Sequence, residues 1–395
     1  MSKPTLGPSA SFSETVRDTL TEQDISVREL ARRTRFDHAY LSRVLAGKQR
    51  PSPALADAVD QALNARGNLA ALAAGPPPSD DMDETGDMLE FMRRAEASDL
   101  GTGTIDVLGA AVDQLCRDYP TAPGPVLRDR SKKLLKHALG LLERRTTLAE
   151  HRELLVHVGW LSALLGCVHF DVGDRLAAET ARKMAHQLGD QAGHGEIVAW
   201  AYEITAWFAL SEGRYQAVVA AAEAGRAHAG VSSGGVQLLV QQAKATAKMG
   251  DPHAHVLLVE AGNMLAQLPA TDQPEHHFVF DPDKLTSHGA TAYTWLGWDE
   301  AAGEYASEMA DRYQREYRPM RLATARLNLG ILAARRGALD EAVHLGEAAF
   351  ESERRSGALT SWARGLLSEL EGRYQGERLV VDYRERLALE TTGDR

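Results

Sequence analysis

Six glycines punctuate the C-terminal part of this chain: Gly173, Gly213, Gly250, Gly297, Gly337 and Gly372, spaced by 40, 37, 47, 40 and 35 residues. Most of them open an alanine-rich stretch, as in "VGDRLAAETARKMA", "EGRYQAVVAAAEAG" and "LGWDEAAGEYASEMA". A glycine there permits a tight turn between two helices. The alanines just beyond it let the two helices approach closely. Trp207, Trp295 and Leu332 sit upstream as large packing residues. One such hairpin cannot bury its apolar face alone, so consecutive hairpins must stack. The drifting period is that of a degenerate helical repeat. Strand-like alternation is scarce, and "HHFVFD" (His276 to Asp281) is the one short candidate. The expectation is an all-α chain whose C-terminal part is a helical-hairpin solenoid.

The N-terminal part reads differently. Residues 1–11 form a polar tail, and Ser13 is a candidate cap for a helix carrying Val16 and Leu20. Ser26 and Glu29 make an S-x-x-E capping box ahead of Leu30, Ala31 and Thr34. After a break at Arg35-Phe36, Asp37 caps a helix with the stripe Leu41, Val44 and Leu45, and Gly47 ends it. Pro51 and Pro53 start another helix, and Asn64 to Ala74 forms one more. Then "GPPPSDDMDETGD" (residues 75–87) combines prolines with an acidic run, the composition of an extended linker. The expected organisation is a small helical domain over 12–74, a linker over 75–87 and the repeat array over 88–390.

Charge separates the two parts. The chain of 395 residues carries a net charge of -11. Between Ser26 and Arg50, however, seven cations face two anions, a local net charge of +5. A basic face on an acidic protein can still hold a phosphate backbone, because charges beyond about 10 Å are screened. Two short helices with a three-residue turn have helix-turn-helix spacing. A helix entering the major groove needs small or polar residues near its N-terminus. His38, Ala39, Tyr40, Ser42 and Arg43 occupy those positions. Ser26 at a helix start suits phosphate contact, as do Lys48 and Arg50 past the second helix. Arg28, Arg33, Arg35 and Asp37 complete the candidate DNA-binding set.

"SVRELARRTRFDHAYLSRVLAGKQRPS" resembles the Cro/repressor or XRE type of helix-turn-helix. The family pattern E-L-A, L/I-S-R and G-K-x-x-P-S is met by Glu29-Leu30-Ala31, Leu41-Ser42-Arg43 and Gly47-Lys48-Gln49-Arg50-Pro51-Ser52. Three departures bear on individual base contacts: Val27 where the family often has Gln, Arg35 where it usually has Gly, and Leu45-Ala46 before the terminal Gly. A left-handed Arg35 costs on the order of 1 kcal/mol. "RRAEASDLGTGTIDVLGAAVDQLCRDYP" and "ERRTTLAEHRELLVHVGWLSALLGCVHFDVGD" are similar to large actinobacterial regulators that join an XRE-type domain to a tetratricopeptide-like (TPR-like) array. That array also resembles the repeat domain of Gram-positive quorum-sensing regulators, which hold a peptide in a concave groove.

The resemblance implies a transcriptional regulator that binds a double-stranded DNA operator as a homodimer. It implies a peptide or small-metabolite effector and no cofactor. Two recognition helices in a dimer would lie about 34 Å apart, one turn of B-DNA. Trp207, Asn263, His277, Phe280, Tyr293 and Asn328 are the candidate effector contacts. "PEHHFVFDPDK" (274–284) falls where the glycine spacing is longest. It either folds over the concave face as a gate or packs as a loop stapled by Phe278 and Phe280. The alternative reading is an interaction scaffold whose helix-turn-helix does not read DNA.

Other classes find little support. His151, His157 and His169 lack HxxxH or HExxH spacing, so no metal site is expected. No phosphate-binding glycine loop, nucleophile elbow or paired-acid motif appears, and no enzyme is expected. Two isolated cysteines, Cys116 and Cys167, fit a reducing cytoplasm. No apolar run approaches the roughly 18 residues of a membrane span, and the polar start shows no secretion signal.

Overall fold

The computed structural model describes residues 11–74, 88, 92, 96–101, 103–271, 273–352 and 356–392. Among them every regular element is a helix, nineteen in all. They form two compact units, Met1–Arg93 and Arg94–Arg395. The expected linker, residues 75–87, lies outside the described residues, as does the tail up to residue 10.

The first unit holds α1 (Phe12–Glu22), α2 (Val27–Thr34), α3 (His38–Leu45), α4 (Pro53–Ala62) and α5 (Asn68–Ala74). Its core is Phe12, Val16, Leu20, Leu30, Leu41, Val44, Leu55, Val59, Leu63 and Leu69. The cap of α1 is Ser11, not Ser13: Ser11 and Glu14 form the reciprocal capping box. Ser13 instead donates to the Val44 carbonyl at 3.1 Å, tying α1 to α3. Helix α5 starts four residues later than the pattern suggests. Asn64, Arg66 and Gly67 all have positive φ, which no helix accommodates. Buried Asp60 accepts from the amides of Gly67, Leu69 and Ala70 at 2.7, 2.8 and 3.2 Å and fixes the start of α5.

The second unit is built of hairpins: α6 (Thr104–Asp118) with α7 (Gly124–Leu142), and α8 (Leu148–Asp171) with α9 (Arg175–Ala192). Next come α10 (Gly195–Ser211) with α11 (Tyr215–Ala229), and α12 (Ser233–Lys248) with α13 (His253–Leu265). The series ends with α14 (Pro282–Leu296) and α15 (Asp299–Tyr313), α16 (Pro319–Arg335) and α17 (Leu339–Phe350), and α18 (Gly357–Arg373) and α19 (Arg378–Thr392). Adjacent helices pack as in a repeat, and each first helix from α8 to α16 also packs on the next first helix.

Five predicted turn glycines, 173, 213, 250, 297 and 337, adopt positive φ. The sixth is Gly376, with φ 84°; Gly372 lies inside α18. The last spacing is thus 39 residues, closer to the rest of the series. A second regularity lies seven residues before each of the first five turns, where Gly166, Ala206, Ala243, Ala290 and Gly330 stand. The reason is close helix approach. A Cβ on Gly166 would meet the Ala178 carbonyl oxygen at 3.5 Å, and one on Gly330 would meet that of Ala342 at 3.2 Å.

Two expectations need correction. Helix α8 is long and apolar enough to cross a membrane, with 24 residues and a mean hydropathy of 1.5 over its most apolar window. Most of that window, 72%, is buried within the array, so α8 is its central core helix. "HHFVFD" forms no strand: Lys284 Nζ donates to the carbonyls of His276 (3.3 Å), His277 (3.0 Å) and Val279, taking up backbone groups a partner strand would need.

Candidate functional site

Two regions concentrate polar groups. In the first unit, Ser26 Oγ accepts from the Glu29 amide at 3.2 Å and Asp37 Oδ1 from the Tyr40 amide at 2.9 Å. The Glu29 carboxylate does not return to Ser26. It pairs with Arg32 and with Arg33 Nε, and those cations hold it below the usual carboxylate range. Arg35 adopts the left-handed conformation (φ 59°, ψ 23°), which glycine takes at no steric cost, so the short turn between α2 and α3 forms despite the larger residue. Leu41, Val44 and Leu45 are buried, which turns His38, Ala39 and Arg43 outward. Arg28, Arg33, Arg35, Lys48 and Arg50 are also exposed.

Not every candidate on this surface is available for contact. Tyr40 is half-buried, and its hydroxyl accepts from the Ser52 amide at 3.1 Å. It locks the end of the G-K-x-x-P-S segment onto α3. Ser42 is half-buried, while Ser26 and Asp37 spend a side-chain oxygen on capping. Arg43 Nε donates to Gln49 Oε1 at 3.2 Å, which ties the guanidinium to the segment that carries Lys48 and Arg50.

The second region lies inside the array. Helix α18 packs back against α8 and α10, so the ring of first helices closes on itself. A Cβ on Gly357 would meet the Phe170 ring at 3.2 Å, which marks how tight that closure is. The loop 274–281 crosses the inner face. Phe278 packs on Trp160 and Trp200 (ring centroids 5.1 and 5.0 Å), and His277 lies on Tyr119 at 3.9 Å. Phe278 and Phe280 are both buried, the stapled arrangement, yet Glu275 and His277 from the same loop line a cavity.

That cavity, of about 200 Å³, is lined by first helices, the α6–α7 turn and this loop, and is partly open to solvent. Trp200, Trp207, Trp362 and Met320 supply apolar wall; Glu203, Gln237, Gln241, Lys244, Lys284, His288 and Arg321 supply polar wall. Glu203, 5% exposed, accepts from Gln237 Nε2 at 3.0 Å and Gln241 Nε2 at 2.5 Å. Burial nonetheless raises its pKa. Arg321 is paired to Asp281 at 2.8 Å and donates to Tyr313 Oη at 3.0 Å. Lys244, 1% exposed, sits 5.7 Å from the Trp362 ring centroid. Burial pushes its ammonium down to about 8 and that of Lys284, beside Arg321, to about 7. His288 is driven well below its ordinary value by burial and by the nearby Lys244.

Of the six candidate effector contacts, Trp207 and His277 line this cavity. Asn328 is buried one step behind the wall and donates to Thr291 Oγ1 at 3.1 Å. Phe280 and Tyr293 are buried in the neighbouring core, and the Tyr293 hydroxyl meets His255 Nδ1 at 2.9 Å. Asn263 is exposed on α13, a second helix of its hairpin. The polar wall itself went unread in the sequence. Its trace is there: Gln237, Gln241 and Lys244 on α12, and Lys284, His288 and Thr291 on α14, both at i, i+4, i+7.

Residues 12–73 match the family model of a helix-turn-helix domain, the segment occupied by the first unit's five helices. No curated protein gives a significant match to the chain.

Proposed function

We propose that the chain is a sequence-specific DNA-binding transcriptional regulator of the XRE type, with a TPR-like array that dimerises it and senses an effector. The observation that carries this is the outward face of α3. Its apolar side is buried while His38, Ala39 and Arg43 point out, with Lys48 and Arg50 just beyond. That division is what a helix seated in a major groove requires. The helix-turn-helix match over residues 12–73 supports it independently. The effector, a peptide or small metabolite, is assigned to the cavity within the closed ring, and it acts by favouring one placement of the DNA heads over another. No reaction is assigned to the chain.

The test is a binding titration of the full chain on genomic fragments across a salt series. Arg43→Ala is expected to cost about 1–3 kcal/mol and relax preference at one base position. Lys48→Ala is expected to weaken all sequences alike and reduce the salt slope by about 1. Salt-independent association, or no loss with either substitution, would instead favour the scaffold reading.

A further inference from the structure

We infer that the array's cavity is a receptor for a small organic acid, one carboxylate on a flat ring, with the carboxylate seated on Lys244. This rests on the sensor reading above and narrows it to one class of ligand.

The assignment follows from which polar groups are already satisfied. Lys284 spends its donors on three backbone carbonyls. Arg321 is neutralised by Asp281. Glu203 is held by two glutamine amides. Lys244 differs: among the described residues its ammonium makes no hydrogen bond and no ion pair, and what it meets is the Trp362 ring at 5.7 Å and the more distant charge of Glu203. A fully buried ammonium without an acceptor is costly, and an anion from outside the chain would relieve that cost. Two residues of the wall, Gln241 and Trp200, each also bury one polar atom without a partner, Oε1 and Nε1, behind the cavity surface.

Size and shape select the rest of the ligand. An apolar cavity of about 150 Å³ holds benzene, and this one measures about 200 Å³. A flat ring system with one acid group is of the right size for it. Trp200, Trp207 and Trp362 provide flat apolar wall for the ring.

Calorimetric titration of the full chain, without DNA, tests this with three acids and their amides: benzoate, cinnamate and indole-3-acetate. At least one acid is expected to bind saturably and about tenfold or more tighter than its amide, the worth of one charge-assisted contact. Lys244→Met is expected to abolish that preference, while Lys133→Met on the exposed face of α7 leaves it intact. No binding by any acid up to about 10 mM, equal binding of acid and amide, or a preference that survives Lys244→Met overturns the assignment. The wild-type comparison of acid with amide decides even where the variant fails to fold. Loss of operator binding with the acid preference intact removes the regulator reading alone. Operator binding with no acid preference removes the receptor alone.

Discussion

Replacing Lys244 by methionine is expected to stabilise the array, and by an amount that depends on pH. The side chain is 1% exposed, and burial pushes its ammonium from an ordinary 10.5 to about 8, against a smaller opposing pull from Glu203. Each factor of ten in proton affinity is worth about 1.4 kcal/mol, so keeping this lysine charged costs the fold about 3 kcal/mol. The sign follows from proton counting. Between pH 8 and 10.5 the unfolded chain holds a proton that the folded chain has released, so wild-type stability rises with pH across that window. Below about pH 8 both states are charged and the full cost applies. Methionine has nearly the same length and no charge. The variant should therefore be more stable by about 3 kcal/mol at pH 7, with its advantage shrinking towards zero near pH 10. Urea unfolding followed by tryptophan fluorescence reads this cleanly. All six tryptophans (160, 200, 207, 295, 298 and 362) lie in the second unit, so the signal reports the array within the intact chain. A variant less stable than wild type at pH 7 would refute the reasoning. So would a stability gap that stays constant from pH 8 to 10. Either result would mean that the ammonium is satisfied within the fold.

Other substitutions test the elements that place each site. Asp60→Ala removes the acceptor for three amides at the start of α5 and is expected to lower the opening free energy of Leu69 and Ala70 by about 2 kcal/mol, read by hydrogen exchange. Arg35→Gly relieves a left-handed non-glycine residue and should stabilise the first unit by about 0.5–1 kcal/mol, seen as slower exchange in α2 and α3; unchanged protection would count against strain at the turn. Gly330→Ala places a Cβ 3.1 Å from Leu366 Cδ2 and 3.2 Å from the Ala342 carbonyl, and should destabilise the array by about 1–3 kcal/mol in urea. Gly140→Ala, in α7 with nothing within 4 Å, should stabilise by up to about 1 kcal/mol in the same assay.

The helix-turn-helix was legible because its signals are local. Ser26, Asp37 and Ser52 each bond an amide three residues on, so cap and helix start lie within one short window. Where the reading slipped, two local signals competed. Ser11 and Ser13 both precede Val16 and Leu20 of α1, and the reciprocal bond to Glu14 chose Ser11. At the far end, Gly372 and Gly376 compete for the last turn. Helical hydrogen bonding runs through Gly372, and the left-handed residue is Gly376.

The cavity was illegible for a different reason: no window of the sequence contains it. Its wall takes residues from α10, α12, α14, α16 and α18, and they become neighbours only because the ring closes. Closure depends on Gly357 meeting Phe170, a pair that no periodicity links. The aromatic and asparagine candidates accordingly divide: Trp207 lines the cavity, whereas Tyr293 and Asn328 belong to packing between hairpins. The better guide is a contradiction within one helix. Helix α12 is buried nearly throughout, yet it carries Gln237, Gln241 and Lys244 at one helical spacing. A chain selected for packing alone would place apolar residues there, since a buried ammonium costs stability that methionine would not. The polar stripe runs against that preference: Gln237 and Gln241 are spent on Glu203, and Lys244 is left as the group that the proposed acid would satisfy.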